Sequence, residues 1–143
     1  MRVKQISVFL ENRPGRLHEV TSALAEQNIN IRALSIADTT EFGILRLIVD
    51  RPTDAAAALQ HRGFTVSETD VIGVEIPDKP GGLAGVLKHM ADAKINIEYL
   101  YAFLGKASID ALVLFRVDDM DRAVKVLQDN GVRVLRAEEM YRL

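Results

Sequence analysis

The sequence has no cysteine and no tryptophan, and aromatic residues make up only 6% of its 143 positions. Without cysteine there is no disulfide framework, no thiolate metal site and no cysteine nucleophile. A reducing cytoplasmic setting is expected. No stretch approaches the roughly 18 apolar residues of a membrane span, and the opening Met1-Arg2-Val3-Lys4-Gln5 carries no apolar signal core. Neither sign of charge is in excess: 18 basic and 20 acidic residues are interspersed for a net charge of −2. That excludes the concentrated basic surface a nucleic-acid backbone requires. Reactive groupings are also missing. His18, His61 and His89 are scattered and form no metal-ligand pair at helical spacing. Gly81, Gly82 and Gly85 are not followed by the Gly-Lys-Ser/Thr of a phosphate loop. Asp118, Asp119 and Asp121 lack the glycine and glutamate of a calcium loop, and helix capping explains them better. No catalytic residue, metal site or cofactor is expected.

What is present is a folded, repetitive chain. Apolar residues reach 48% and charges are spread throughout, which argues against disorder. At an offset of 66, Ile6, Val8, Pro14, Gly15, Leu17, Val20, Ile29, Asn30, Ile31 and Leu34 fall on Ile72, Val74, Pro80, Gly81, Leu83, Val86, Ile95, Asn96, Ile97 and Leu100. After a two-residue insertion the offset is 68, and Asp50, Ala55, Leu59, Gly63 and Val66 fall on Asp118, Ala123, Leu127, Gly131 and Val134. Core and turn positions repeat together, which marks a duplication. The boundary is placed in Ser67-Glu68-Thr69-Asp70, a linker of about 14 Å at full extension.

Each half reads alike. Ile6, Val8 and Leu10 alternate as a half-buried strand, as do Ile72, Val74 and Ile76. A Pro-Gly turn leads into a helix carrying Leu17, Val20 and Leu24, or Leu83, Val86, Leu87 and Met90. Asn28 and Lys94 mark the helix ends. Second strands are expected over 29–37 and 95–104, and third strands around Leu45, Leu47 and Val49 and around Val113, Phe115 and Val117. Asp54 and Asp119 are expected to cap a second helix, and Gly63 and Gly131 to end it. A short strand closes each half. The order βαββαβ, twice, predicts an α+β protein of two tandem ferredoxin-like modules, residues 1–68 and 69–143. Each should be an antiparallel sheet with its helices on one face.

The run Asn12-Arg13-Pro14-Gly15-Arg16-Leu17, followed by Asn28-Ile29-Asn30-Ile31, resembles the ACT domain pattern. So does Asp78-Lys79-Pro80-Gly81-Gly82-Leu83 with Lys94-Ile95-Asn96-Ile97. The resemblance covers nearly the whole chain. It implies a regulatory module that binds an amino acid between paired copies and, with no catalytic domain attached, acts on a separate enzyme of amino-acid metabolism. The turn itself supports such a site. It delivers the chain into a helix N-terminus, where unpaired amides and the helix dipole favour a carboxylate. The amides of Arg16 and Leu17, or of Gly82 and Leu83, would bind it, and Gly15, Gly81 and Gly82 leave room for its approach. Asp78, or the Asn12 carbonyl, would accept from the ammonium group, and backbone of the Asn30 and Asn96 strands would complete each pocket. Asp78 carries a full charge, so the second turn is expected to bind more tightly. The bare alternative is that Pro-Gly only turns the chain.

One apolar stripe needs a partner. Tyr99, Tyr101 and Phe103 alternate, as do Leu112 and Leu114, against the more mixed Ala33, Ser35, Ile44, Arg46 and Ile48 of the first half. Either this face is an interface, between domains or in a homodimer, or the strand phase is reversed and the aromatics are core. The functional expectation is a non-catalytic amino-acid sensor. Its rival is a ligand-free structural adaptor that uses the paired modules as an assembly surface.

Overall fold

A computed structural model describes residues 1–38, 41–103 and 110–143. Twelve elements follow in order: β1 (Val3–Glu11), α1 (Arg16–Glu26), β2 (Ile31–Asp38), β3 (Phe42–Val49), α2 (Pro52–His61), β4 (Thr65–Ile76), α3 (Gly82–Asp92), β5 (Ile97–Ala102), β6 (Ala111–Val117), α4 (Met120–Asp129), β7 (Val134–Leu135) and α5 (Ala137–Arg142). They divide into two compact units. The N-terminal unit is Lys4–Thr69; the C-terminal unit joins Met1–Val3 to Asp70–Leu143. No helix among the described residues is long and apolar enough to cross a membrane.

In the N-terminal unit β3 lies between β1 and β2, antiparallel to both, with Ile6 opposite Leu47 and Val8 opposite Leu45. Alternation turns Ile6, Val8 and Leu10 to the same side as Leu45, Leu47 and Val49, where they pack with Val20 and Leu24 of α1 and Leu59 of α2. In the C-terminal unit the order is β7-β4-β6-β5, again antiparallel, with Ile72 opposite Phe115 and Val74 opposite Val113. Ile72, Val74 and Phe115 pack with Val86 and Met90 of α3 and Leu127 of α4. The expected α+β class and antiparallel sheets are found.

Capping follows local chemistry closely. The Asp119 side chain accepts from the Arg122 N–H at 3.2 Å and caps α4. Gly63 and Gly131, at φ 85° and 74°, follow the last helical turns as expected. Asn28 and Lys94 also take left-handed dihedrals, φ 55° and 58°. Asp54 does not cap α2. Pro52 opens that helix, Arg51 holds the cap position, and Asp54 sits in the first turn with its carboxylate 3.2 Å from the Arg51 guanidinium.

Three expectations are corrected, and a fourth lies beyond the described residues. The units divide between Thr69 and Asp70, within the expected boundary, but Ser67, Glu68, Thr69 and Asp70 are not irregular chain; they lie inside the twelve-residue β4. Leu17 and Leu83 belong to the helical pattern but stay exposed. β5 ends at Ala102, and the expected strand end at Leu104 lies outside the described residues. The helices of the C-terminal unit are not confined to one face. Gly73 alternates with Ile72 and Val74, and a Cβ placed on it would stand 2.8 Å from the Met140 sulfur. The short helix α5 therefore seats Met140, fully buried, on the side of β4 opposite α3 and α4. Glu139 fastens α5: its carboxylate accepts from the Arg136 N–H at 3.2 Å and pairs with Arg133 and Arg136. The Arg136 N–H, helped by the neighbouring guanidinium groups, holds the Glu139 carboxyl below its ordinary range.

The strand phase is the expected one: Val113 and Phe115, not Leu112 and Leu114, pack with α3 and α4. Tyr101, Leu112 and Leu114 are buried, Leu114 completely, while Tyr99 and Phe103 are half-buried. Tyr99 and Tyr101 stack with ring centres 6.5 Å apart. The face is not an open apolar patch.

Candidate functional site

Both Pro-Gly turns are built alike. The Arg13 N–H donates to the Glu11 carbonyl and the Lys79 N–H to the Pro77 carbonyl, each at 2.9 Å. Gly15 and Gly81 then adopt φ 88° and 84° and accept the first helical bonds, from Glu19 and Gly85, at 2.9 Å. A Cβ at Gly15 or Gly81 would meet nothing within 4 Å, so these glycines serve the backbone angle. Gly82 differs. A Cβ there would run into the Pro77 carbonyl, so the room it leaves is filled by the chain's own backbone rather than held open for a ligand.

The turns do not lead to equal spaces. At the first, Asn12, Arg13, Arg16 and Leu17 meet Ile36 and Gly43 around a cavity of about 190 Å³. Gly15 is not among its lining residues. At the second, Lys79, Gly81 and Gly82 border a cavity of about 420 Å³, made entirely of C-terminal-unit residues. Pro77, Val86 and Val132 give it apolar lining, Glu75 and Asp110 bring carboxylates, Lys79 and Arg133 bring cations, and His89 adds an imidazole. The Arg133 guanidinium stands 2.9 Å from the Glu75 carboxylate. That hydrogen bond, with Glu139 beside it, raises the Arg133 pKa above its ordinary value and keeps it charged. The volume falls in the range of small-ligand pockets, about 300–1,000 Å³.

Several expected site residues lie elsewhere. Asp78 is exposed and, like Leu83, does not line the cavity; Glu75 and Asp110 supply its carboxylates. Asn30, Ile31, Asn96 and Ile97 border neither turn cavity. The backbone of both asparagines is already engaged. The Asn30 N–H donates to the Asp50 side chain at 3.0 Å and its carbonyl accepts from the Asp50 N–H at 3.2 Å. Asn96 and Asp118 repeat the arrangement at 3.1 Å in both directions. This clamp joins the start of the second strand to the end of the third in each repeat. Asp50→Ala and Asp118→Ala should each cost about 1–2 kcal/mol of stability in urea titration. They should leave ligand response unchanged if the clamp is structural only.

Two βαββα repeats, each passing from first strand to first helix through a Pro-Gly pair, define the ACT class of α+β module. The chain belongs to the ACT domain pair family, which it matches over residues 1–143. It is similar to a protein of Bacteroides thetaiotaomicron of known crystal structure, with 44% identity and a TM-score of 0.93 over 100% of this chain and 98% of that one. The regulatory subunit of aspartate kinase from Thermus thermophilus shares the fold at 18% identity, TM-score 0.64, covering 88% of this chain and 91% of that one. That from Thermus flavus shares it at 18% identity, TM-score 0.63, covering 90% and 92%. No curated protein matches the sequence.

Proposed function

We propose that the chain is a non-catalytic regulatory protein of the cytoplasm that binds a free α-amino acid and so alters its contact with an enzyme of amino-acid metabolism. The supporting observation is the 420 Å³ cavity beside the Gly81 turn, whose lining combines apolar side chains with both carboxylates and cations. A free amino acid presents one group of each sign, and the start of α3 adds a dipole that favours its carboxylate. The ligand acts by favouring one arrangement of the chain over another, to the extent of its differential affinity. The fold shared with aspartate kinase regulatory subunits supports a partner that is itself an enzyme.

The test is a thermal-shift screen with the standard L-amino acids. A compound that binds only the native state raises the melting temperature, and at a hundred-fold excess over Kd the gain is about 2.7 kcal/mol. The amide and the keto acid of the responding compound should bind at least ten-fold more weakly, since a charge-assisted hydrogen bond is worth about 1.5–3 kcal/mol. No response to any amino acid would favour the adaptor reading. One observation on the N-terminal unit supports that alternative, or a homodimer: Phe9 and Phe42 are about half exposed. They lie on neighbouring strands, where Phe9 stands opposite Ile44 and Phe42 opposite Glu11.

A further inference from the structure

The N-terminal unit contains a side-chain cluster with no counterpart in the other repeat. The Arg16 guanidinium lies 4.6 Å above the centre of the Phe64 ring. It stands 2.6 Å from the Glu19 carboxylate and 3.5 Å from that of Glu11, and the Arg16 side chain is only 20% exposed. The aromatic face and the two carboxylates favour a cation at this place, although the Arg16 Nε is itself buried without a hydrogen-bond partner. The repeat offsets carry Glu11, Arg16 and Glu19 to Pro77, Gly82 and Gly85, and Phe64 to Val132. All four of these replacements line the 420 Å³ cavity. An arginine, an aromatic ring and two glutamates have been exchanged together for small or apolar residues, and the space they fill in one repeat is open in the other.

We infer that the cavity is the same groove in two states: self-occupied by Arg16 in the N-terminal repeat, and open to a ligand in the C-terminal one. The chain thus carries one ligand site, not two. The inference rests on the ligand-binding reading above. Charge agrees with it. Glu19 places an acid in the first turn of α1, whereas α3 has none in its first turn. A carboxylate approaching α3 meets the positive helix end without that repulsion. The exchange is also locked, because no side chain fits at Gly82 beside the Pro77 carbonyl.

Two variants test it. A Cβ at Gly85 enters open space and the position is helical, so Gly85→Leu should fill the groove without lowering the melting temperature of the unliganded protein. It should abolish the shift given by whichever standard amino acid stabilises the parent, and calorimetry of the parent should return one bound molecule per chain. Arg16→Ala empties the first groove and leaves Glu11, Glu19 and Phe64 facing a vacancy shaped for a cation. N-propylguanidine should then raise the melting temperature of Arg16→Ala but not that of the parent, and adding Glu19→Gln should remove the gain. Two bound molecules per chain, or an Arg16→Ala protein indifferent to N-propylguanidine, would overturn the inference. If an amino acid binds the parent and Gly85→Leu responds equally, the placement fails while the regulatory reading stands. If no standard amino acid stabilises the parent, the regulatory reading falls and takes the single-site inference with it.

Discussion

Gly82→Val is expected to unfold the C-terminal unit, or to lower its stability by at least about 3 kcal/mol in a chemical denaturation series. The obstacle is the Pro77 carbonyl, a backbone group fixed by the turn, which stands where the new Cβ must go. The carbonyl also accepts the Lys79 N–H, so moving it breaks the turn as well. A flexible side chain would yield; this neighbour cannot. One helical turn further on, Gly85→Ala should have the opposite sign. Its Cβ meets nothing within 4 Å, and alanine gains about 0.8–1 kcal/mol over glycine within a helix. Equal effects at the two positions would show that the turn does not approach α3 so closely.

Tyr101→Glu is the second large effect. Tyr101 is 7% exposed, lies opposite the fully buried Leu114, and stacks on Tyr99. A carboxylate placed there loses its hydration, and burying an unpaired charge is among the few changes that cost more than about 4 kcal/mol. The neighbouring Leu100 points to the other side of β5 and is 39% exposed, so Leu100→Glu should stay within about 0.5 kcal/mol of the parent. Urea titration of the two variants reads the strand phase directly. If Tyr101→Glu folds normally and only loses self-association, Tyr101 belongs to an external contact rather than to the packed interior.

How legible the molecule was depended on range. Caps and turns are written in two or three neighbouring residues, so Asp119, Gly63, Gly131 and both Pro-Gly pairs could be placed from the sequence. The repeat offset could be read because core and turn positions recur together. Asp54 is not the cap because Pro52 takes the first helical position, which leaves the aspartate three residues inward of the cap. Ser67 to Asp70 resembled a linker because four polar residues in a row carry no alternation, although they lie within β4. The helix α5 gave little signal. It has six residues and an arginine at its cap position, and it is held by Glu139 and by the contact of Met140 with Gly73.

The site was less legible for a related reason. Proximity in sequence favours Asp78 as the acceptor, but the carboxylates that reach the cavity are Glu75, from within a strand, and Asp110, 28 positions beyond the end of the turn at Gly82. The exchange of Arg16 for Gly82 was visible in the aligned repeats. It does not provide extra backbone room, since the Pro77 carbonyl fills the space beside Gly82. Only the geometry of Glu11, Glu19 and Phe64 around Arg16 connects that exchange to an open groove.

The seat of Met140 against Gly73 makes the thioether a built-in chemical reporter. A methionine sulfur shielded from solvent is oxidised only when its surroundings open, so the rate at which peroxide converts Met140 to the sulfoxide measures how often α5 lifts from β4. The product cannot return to the same seat. The sulfur already stands where a methyl group on Gly73 would be too close, and the added oxygen is both larger and polar. Oxidation at this one atom therefore turns a transient opening of the C-terminal helix into a lasting one, reversible only by reduction of the sulfoxide.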